Sequence, residues 1–479
     1  MSVTIHLHDY TLVEKDIEAQ KKELAELLCV PESMVTDAFC LTLQGRMKGA
    51  SYRDIHLVNS YEEAKAPTLV SLYQGSWYTQ DYVGVIRFDV ERKVEEKTET
   101  VPVVVNIHSR FDMDHRSQFL MYVFEKAFSA RGRIYEDMDI EGRQEFSWDY
   151  LLLLIFLRQL HDAMKKGMFR QYREYEYNNS NVRGRIDVAR HIRENLMLSN
   201  GKIAYTTREY TVDNIVNILI LKAYDCLDKK YHSVLRELTA RDETVKKGIQ
   251  LLRTEIESWK DISNQQVLKA TGKKIVQSVY RNYEPLRRTA IAILRRLGIN
   301  NFVNGAQSTS GLLINMPGLW EQFLYKEVFS KLTGETGNYE QKSYPILGGA
   351  RELKPDFLLE KQRIVFDAKY KKHWGEAVYS GGTWKDARED VFQIITYMHV
   401  FDCAYGGAIF PIEEMAGLNL TEVERPIVLE AKRCPDSWFV RLPYVIPAEE
   451  DFVVFRQKLD ENAKTIVRKL EKLIEMAET

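Results

Sequence analysis

Two aspartates and a lysine in the last third of the chain have the types and spacing needed to cut a phosphodiester. Asp356 closes a Lys-Pro-Asp run, and Asp367 and Lys369 stand two apart in RIVFDAKYKK. Residues i and i+2 of a β-strand project from one face, so this acid and amine point the same way. A short KQR turn lets KPDFLLE and RIVFDAKYKK pair as a hairpin, which brings Asp356 beside Asp367. Acids flanked by FLL, IVF and AKY are costly to bury without compensation. A divalent cation shared by the two carboxylates supplies it. Magnesium binds through one or two carboxylates plus water and substrate phosphate, with manganese as an alternative. Such an ion polarises the scissile phosphate and helps generate hydroxide from water. A neighbouring lysine can orient that water or stabilise the developing charge.

A lone D-x-K triplet is common, and its plain alternative is an ordinary ion pair on a surface hairpin. Three further residues join it. Glu321 lies on the helix expected for GLWEQFLYKEVFSKL, while Gln393 and Tyr397 lie four apart on that expected for DVFQIITYMHVF. Four residues is one helical turn, so Gln393 and Tyr397 share a face. Singly, each has an ordinary reading as a surface charge or a surface pair. As a set around the hairpin they are harder to explain that way.

The elements that must position these residues form an α/β alternation. From about residue 304 the pattern runs helix, strand, strand, helix, with YGGAIFPI and IVLEAKR as two further strands. The final segment, 450–479, reads as a charged amphipathic helix that packs on this domain. Residues 148–303 read as helical: WDYLLLLIFLRQLHDAMKKG ends at Gly167, and VDNIVNILILKAYDCLDKKY, SVLRELTARDETVKKGIQLLRTEIESW and YEPLRRTAIAILRRLG follow. Residues 1–147 are strand-rich, with SVTIHLHDY, DYVGVIRFDV and TVPVVVNIHSRF as strands. Between the last two, ERKVEEKTE is either the tip of a hairpin or a solvated loop, and the sequence alone favours the loop. The expectation is a mixed α/β multidomain chain. It divides into a strand-rich N-terminal region (1–147), a helical middle (148–303), a nuclease domain with a mixed sheet flanked by helices (304–449) and a C-terminal helix (450–479).

At 479 residues the chain can bury two or three cores. Lys+Arg (67) nearly equals Asp+Glu (69), giving a net charge of −2, so bulk electrostatics alone would not hold DNA. Positive charge is concentrated locally, or a partner does most of the gripping. Cys29, Cys40, Cys226, Cys403 and Cys434 are odd in number and form no CxxC pair, which points to a reducing compartment. The start lacks a signal peptide, and the apolar run from Tyr150 to Leu157 is too short to span a bilayer, so a cytoplasmic location is expected. No G-x-x-x-x-G-K-[ST] phosphate loop is present.

Arg183, Arg185, Arg190 and Arg193 form the densest positive cluster, near Tyr172, Tyr175 and Tyr177. Arginine forks suit bidentate phosphate contacts, which makes these four candidates for the DNA backbone. Internal salt bridges to Asp187, Glu174 and Glu194, or contact with a partner, are at least as well supported. The two LRR triplets at 286–288 and 294–296 read as a solvated helix face.

Glu321, Pro355-Asp356, Asp367-Ala368-Lys369 and Gln393-x-x-x-Tyr397 resemble the active-site series of PD-(D/E)xK nucleases, the glutamine–tyrosine helix being similar to that of the RecB-like branch. Asn181-Val-Arg-Gly-Arg-Ile-Asp187, with His191 to Asn195, resembles the central signature of the McrC family, the nuclease subunit of modification-dependent restriction systems. Tyr82 to Ile86 and Ser109-Arg110-Phe111 are loosely similar to its N-terminal strands; the first eighty residues align with nothing.

The resemblance implies that Asp356 and Asp367 hold Mg2+ with help from Glu321. Lys369 serves the attacking water, and Gln393 and Tyr397 support the site or touch the DNA backbone. It also implies an antiphage restriction role on double-stranded DNA. The implied partner is a hexameric McrB-like AAA+ GTPase, on which the N-terminal part docks and whose GTP hydrolysis it stimulates. Two other readings stay open: a non-catalytic adaptor that only activates an AAA+ motor, and a stand-alone RecB-like nuclease of repair or transposition.

Overall fold

In the computed structural model the residues described are 3–49, 55–58, 67–94, 97–112, 117–128, 148–195, 201–271, 273–296, 310–334, 341–371, 374, 388–414, 427–428 and 437–478. The chain forms two compact units, Met1–Ser129 with Gln307–Thr479, and Ala130–Ala306. The first and last thirds, which the sequence pattern separates, thus share a unit. Mixed α/β architecture is what the pattern leads one to expect.

The first unit contains two five-stranded sheets. In the N-terminal sheet the strand order is Val3–His8, Lys97–His108, Tyr82–Val94, Ser310–Asn315, Ile55–Val58. Val3–His8 alternates buried and half-buried residues, the period-two signature of a strand with one face on a core. That core gathers Ile5, Leu7, Val105 and Ile107 from the strands with Leu24, Phe39 and Leu43 from the helices Lys21–Leu28 and Val35–Gly49. Ser310–Asn315 was not legible as a strand and pairs in this sheet rather than with the nuclease strands that follow it. The two backbones meet so closely at Gly84 (φ +150°) that a Cβ there would lie 2.0 Å from the Leu312 carbonyl oxygen.

ERKVEEKTE is not the loop that the sequence favours. The ladder between Tyr82–Val94 and Lys97–His108 continues to the pair Val94↔Lys97, which makes it a hairpin whose residues 95–96 lie outside the described residues. Opposite charges facing each other across the strands explain this: Arg92 is paired with Glu99, Nη2 to Oε2 at 2.8 Å.

The C-terminal sheet has the order Phe357–Leu359, Ile364–Ala368, Tyr405–Glu413, Trp438–Ile446, Ile427–Val428. Its first pair is an antiparallel hairpin; the next two pairings are parallel. Parallel strands are covered on both faces, and Tyr405–Glu413 is buried at every position but its last. Trp438–Ile446 escaped the sequence reading, while of the expected strand IVLEAKR only residues 427–428 are described. The GLWEQFLYKEVFSKL helix is Met316–Leu324 running into a π-helical stretch, Tyr325–Phe329, and a last turn, Ser330–Thr333. Phe452–Glu478 packs on the sheet as expected: Leu459, Ile466 and Leu470 are buried, and Tyr444 donates to the Leu459 carbonyl at 2.7 Å.

The second unit holds the expected helices, with two differences. Ile215–Arg241 runs through the expected break between Tyr231 and Ser233 with a kink at Tyr231, and the chain breaks at Asp242, which caps Glu243–Glu255 by accepting from the N–H of Thr244 and Val245. The unit is also not wholly helical. Gln171–Asn179, Ile203–Thr211 and Arg185–Ile186 form a three-stranded antiparallel sheet, because the tyrosines and threonines of YREYEY and AYTTREYT outweigh their polar neighbours. Among the described residues no helix is long and apolar enough to cross a membrane.

Candidate active site

The Asp356 carboxyl is delivered by the bend before the hairpin. Pairing of Phe357 with Phe366 sets the register, so Asp356 falls opposite Asp367 one step further on. The left-handed conformation of Arg363 (φ 54°) closes the turn that makes this possible. Asp367 sits at the end of a run buried from Ile364 onward, and is itself 3% exposed. Lys369 follows just past the strand, held there by its own N–H donating to the Ile409 carbonyl at 3.0 Å. Its Nζ stands 2.5 Å from Asp367 Oδ2.

Asp356 is held from two sides. The Ala368 N–H donates to its Oδ2 at 2.7 Å, and Gln341 Nε2 donates to its Oδ1 at 2.7 Å. Its pKa nevertheless stands well above the ordinary carboxylate range. Desolvation is the main cause, followed by the charges of Asp367 and Glu321 and a side-chain hydrogen bond with Asp367. Desolvation opposes the ammonium of Lys369, but Asp367 and Asp390 outweigh it and raise the lysine pKa.

Gln393 and Tyr397 do share a helix face, on Arg388–Val400, and they meet the lysine in a chain. Lys369 Nζ donates to Gln393 Oε1 at 2.9 Å, Gln393 Nε2 to the Tyr397 hydroxyl at 2.8 Å, and Tyr397 to the Lys354 carbonyl at 3.3 Å. Glu321, half-buried on Met316–Leu324, acts on Asp356 through its charge. Among the described residues no group of three or more His, Cys, Asp or Glu side chains is already gathered as a metal cage. The donor set suits a hard cation that needs only two carboxylates and keeps its waters: two acids share one desolvated spot, and one is pushed toward its protonated form unless a positive charge arrives.

Two partners of the site, Gln341 and Asp390, were missed in the sequence. Gln341 holds Asp356. Asp390, 6% exposed, accepts from Lys371 Nζ at 2.8 Å and from the buried Trp374 indole at 2.9 Å, and stands 3.3 Å from Lys369 Nζ. Helical spacing could have found it, since Asp390 precedes Gln393 by three and Tyr397 by seven.

The residue between the two lysines, Tyr370, faces the other way. Its hydroxyl is 2.7 Å from Ser109 Oγ, and the Arg110 guanidinium lies 4.8 Å from its ring centroid. Arg110 is buried against Asp9, Nη2 to Oδ2 at 2.7 Å, and reaches Asp81 at 3.1 Å. The Ser109-Arg110-Phe111 run thus supports the segment just past the strand, where Lys369 sits; Phe111 packs edge-on to Tyr370.

In the second unit, the four arginines separate. Arg183, Arg185 and Arg193 are exposed, whereas Arg190 is built into the fold: its Nη1 pairs with Glu176 Oε2 at 2.7 Å and its Nη2 donates to the carbonyls of Tyr177 and Tyr205. Arg190 is not presented to a ligand, because its guanidinium replaces backbone partners inside the sheet. Gly184, between Arg183 and Arg185, is required by sterics: a Cβ there would lie 2.1 Å from the Thr206 carbonyl oxygen.

No curated protein sequence matches the chain. A structure of Thermococcus gammatolerans McrB AAA+ hexamers with bound McrC, a refined half-complex from a tetradecameric assembly, aligns over 98% of this chain and 100% of that one, at 16% identity and a TM-score of 0.46. The cryo-EM structure of the Thermococcus gammatolerans McrBC complex aligns over 71% of this chain and 90% of that one, at 15% identity and a TM-score of 0.31. The family described as McrBC 5-methylcytosine restriction system component matches residues 78–411, and by that match this chain belongs to it.

Proposed function

We propose that this chain is the DNA-cutting subunit of an McrBC-type restriction system and that it hydrolyses phosphodiesters at Asp356, Asp367 and Lys369. The observation that carries the reading is the meeting of two desolvated acids and a hydrogen-bonded ammonium at the mouth of one hairpin. Ion pairing alone would not place a second acid there, since an uncompensated buried carboxylate is destabilising. Asp356 and Asp367 would hold a magnesium or manganese ion, with Glu321 adding negative charge behind Asp356. When bound, such an ion activates water and neutralises charge on the phosphate. Lys369, anchored by Asp367 and the Gln393 amide oxygen, orients the attacking water and faces the charge that develops in the transition state. Tyr397 keeps the Gln393 amide turned so that its oxygen accepts from the lysine.

The partner in this reading is an AAA+ GTPase of the McrB kind, whose GTP hydrolysis this chain stimulates. Family membership and the absence of a phosphate loop in this sequence support that division of labour. The exposed Arg183, Arg185 and Arg193 remain candidates for the DNA backbone. The test is plasmid cleavage with Mg2+, GTP and the partner. Asp367→Ala is expected to abolish cutting while partner GTP hydrolysis continues. Cleavage that survives the substitution removes these residues from the chemistry, and loss of GTP hydrolysis alone would favour the adaptor reading.

A further inference from the structure

We propose that Lys371 grips a DNA phosphate beside the scissile one, and that Asp390 is the positioning residue that holds Lys371 and Lys369 together for this purpose. The inference rests on the nuclease reading above and deepens it.

DAKYK places two lysines at alternate positions, with Tyr370 between them turned toward Ser109 and Phe111. Alternate residues of extended chain share a side, so both amines belong to the site. Their surroundings differ. The Lys369 side chain is 10% exposed and committed to Asp367 and Gln393, whereas that of Lys371 is 40% exposed and pairs with Asp390. Two ammonium groups this close repel each other. One carboxylate oxygen, Asp390 Oδ1, lies between them, 3.3 Å from Lys369 Nζ and 2.8 Å from Lys371 Nζ. The other, Oδ2, accepts from the Trp374 indole at 2.9 Å, and Trp374 is buried, so the carboxylate cannot rotate freely.

A lysine ammonium has three donors, and the anchor uses only part of that capacity. An ion pair this open contributes little to stability. What it does accomplish is to settle the rotamers of a long, flexible side chain before an anion arrives. Successive phosphates of a nucleic-acid strand are an anion pair of matching reach. Lys369 then serves the phosphate under attack, and Lys371 its neighbour.

The experiment uses the full chain with its AAA+ partner and a duplex substrate, comparing Lys371→Ala, Lys371→Arg and Asp390→Asn. Cleavage rates give KM and kcat, and DNA binding is measured against salt in an Asp367→Asn background. Losing one phosphate contact is expected to reduce the log–log salt slope by about 1 and to raise KM several-fold, with kcat nearly kept. Lys371→Arg should restore both slope and KM. Asp390→Asn should lower kcat about ten-fold with the slope unchanged, since Lys371 keeps its charge. An unchanged slope and KM in Lys371→Ala, with Asp367→Ala inactive, overturns this inference and leaves the nuclease reading intact. A kcat in Asp390→Asn within two-fold of the parent overturns the positioning role. Cutting by Asp367→Ala overturns both.

Discussion

Two buried charge clusters in the first unit differ in how they balance. Around Arg110, one guanidinium serves Asp9 and Asp81; both oxygens of Asp9 accept, one from the Arg110 backbone N–H and one from its side chain. Around Lys369, three acids converge on a site with fewer cations to match: Asp356 stays pushed toward its protonated form even though Asp367 and Asp390 are each paired. The first cluster pairs both of its acids with one guanidinium, although Arg110 Nη1 stays a buried donor with no hydrogen-bond partner among the described residues and burial pushes the Asp81 carboxyl up. In the second, the proposed cation would relieve the repulsion that holds the Asp356 carboxyl well above its ordinary range. What separates them is acid against acid: repulsion from Asp367 and Glu321 adds to desolvation at Asp356, and a shifted carboxylate among like charges is a candidate ligand site. The two are joined through Tyr370, which touches Arg110 on one side and precedes Lys371 on the other.

That contrast can be broken at several points. The largest effect is expected from Asp367→Ala, which should cost cutting roughly a thousand-fold or more, the scale of losing a preorganised transition-state contact. Its melting temperature should fall only modestly, because Lys369 loses its nearest carboxylate but keeps Gln393 and Asp390 while Asp356 loses a repelling charge. Next comes Arg110→Met. It leaves Asp9 buried without its cation and should lower unfolding stability by about 3–5 kcal/mol, read from urea denaturation midpoints. A variant that unfolds at the parent's midpoint would show that the Arg110 cluster is no keystone.

Asp356→Asn sharpens the other side of the comparison. The folded-state pKa of Asp356 is raised above its unfolded value. Its stabilising contribution is therefore whole below the ordinary carboxylate range and is lost as pH rises toward the raised value. Near neutral pH without metal, Asp356→Asn is expected to be more stable than the parent by roughly 1–3 kcal/mol, a scale set by buried acids with shifted titration. Magnesium should raise the parent's melting temperature and leave the variant's unmoved. A metal response that persists in the variant would place the cation elsewhere. The smallest effect belongs to Arg92→Ala on the exposed hairpin, expected within about 1 kcal/mol, as for other solvent-facing pairs.

How far the sequence could be read follows from the range of the forces involved. Asp356, Asp367 and Lys369 were legible because strand alternation and a short turn are local, and the hairpin register that pairs Phe357 with Phe366 brings the aspartates opposite each other. Gln393 and Tyr397 were legible because helical spacing is local too. Gln341 was not: it reaches Asp356 from a segment with no periodic pattern. The ERKVEEKTE hairpin hid behind its charge, since polar residues on a two-sided solvated ladder look like a loop until Arg92 is seen opposite Glu99. In the second unit, arginine density drew attention from the Tyr and Thr alternation that builds its sheet, and one of those arginines proved to be internal scaffolding.

Ser310–Asn315 lies between Tyr82–Val94 and Ile55–Val58, and so joins sheet partners separated from it in the chain by about 200 residues or more. During translation the Tyr82–Val94 strand leaves the ribosome with that edge unpaired. At usual synthesis rates the wait for its neighbour is on the order of 10–40 s. An open edge of this kind recruits other strands. Fragments that stop before residue 310 should therefore aggregate, and slowing the ribosome across the second unit should lower the yield of folded protein.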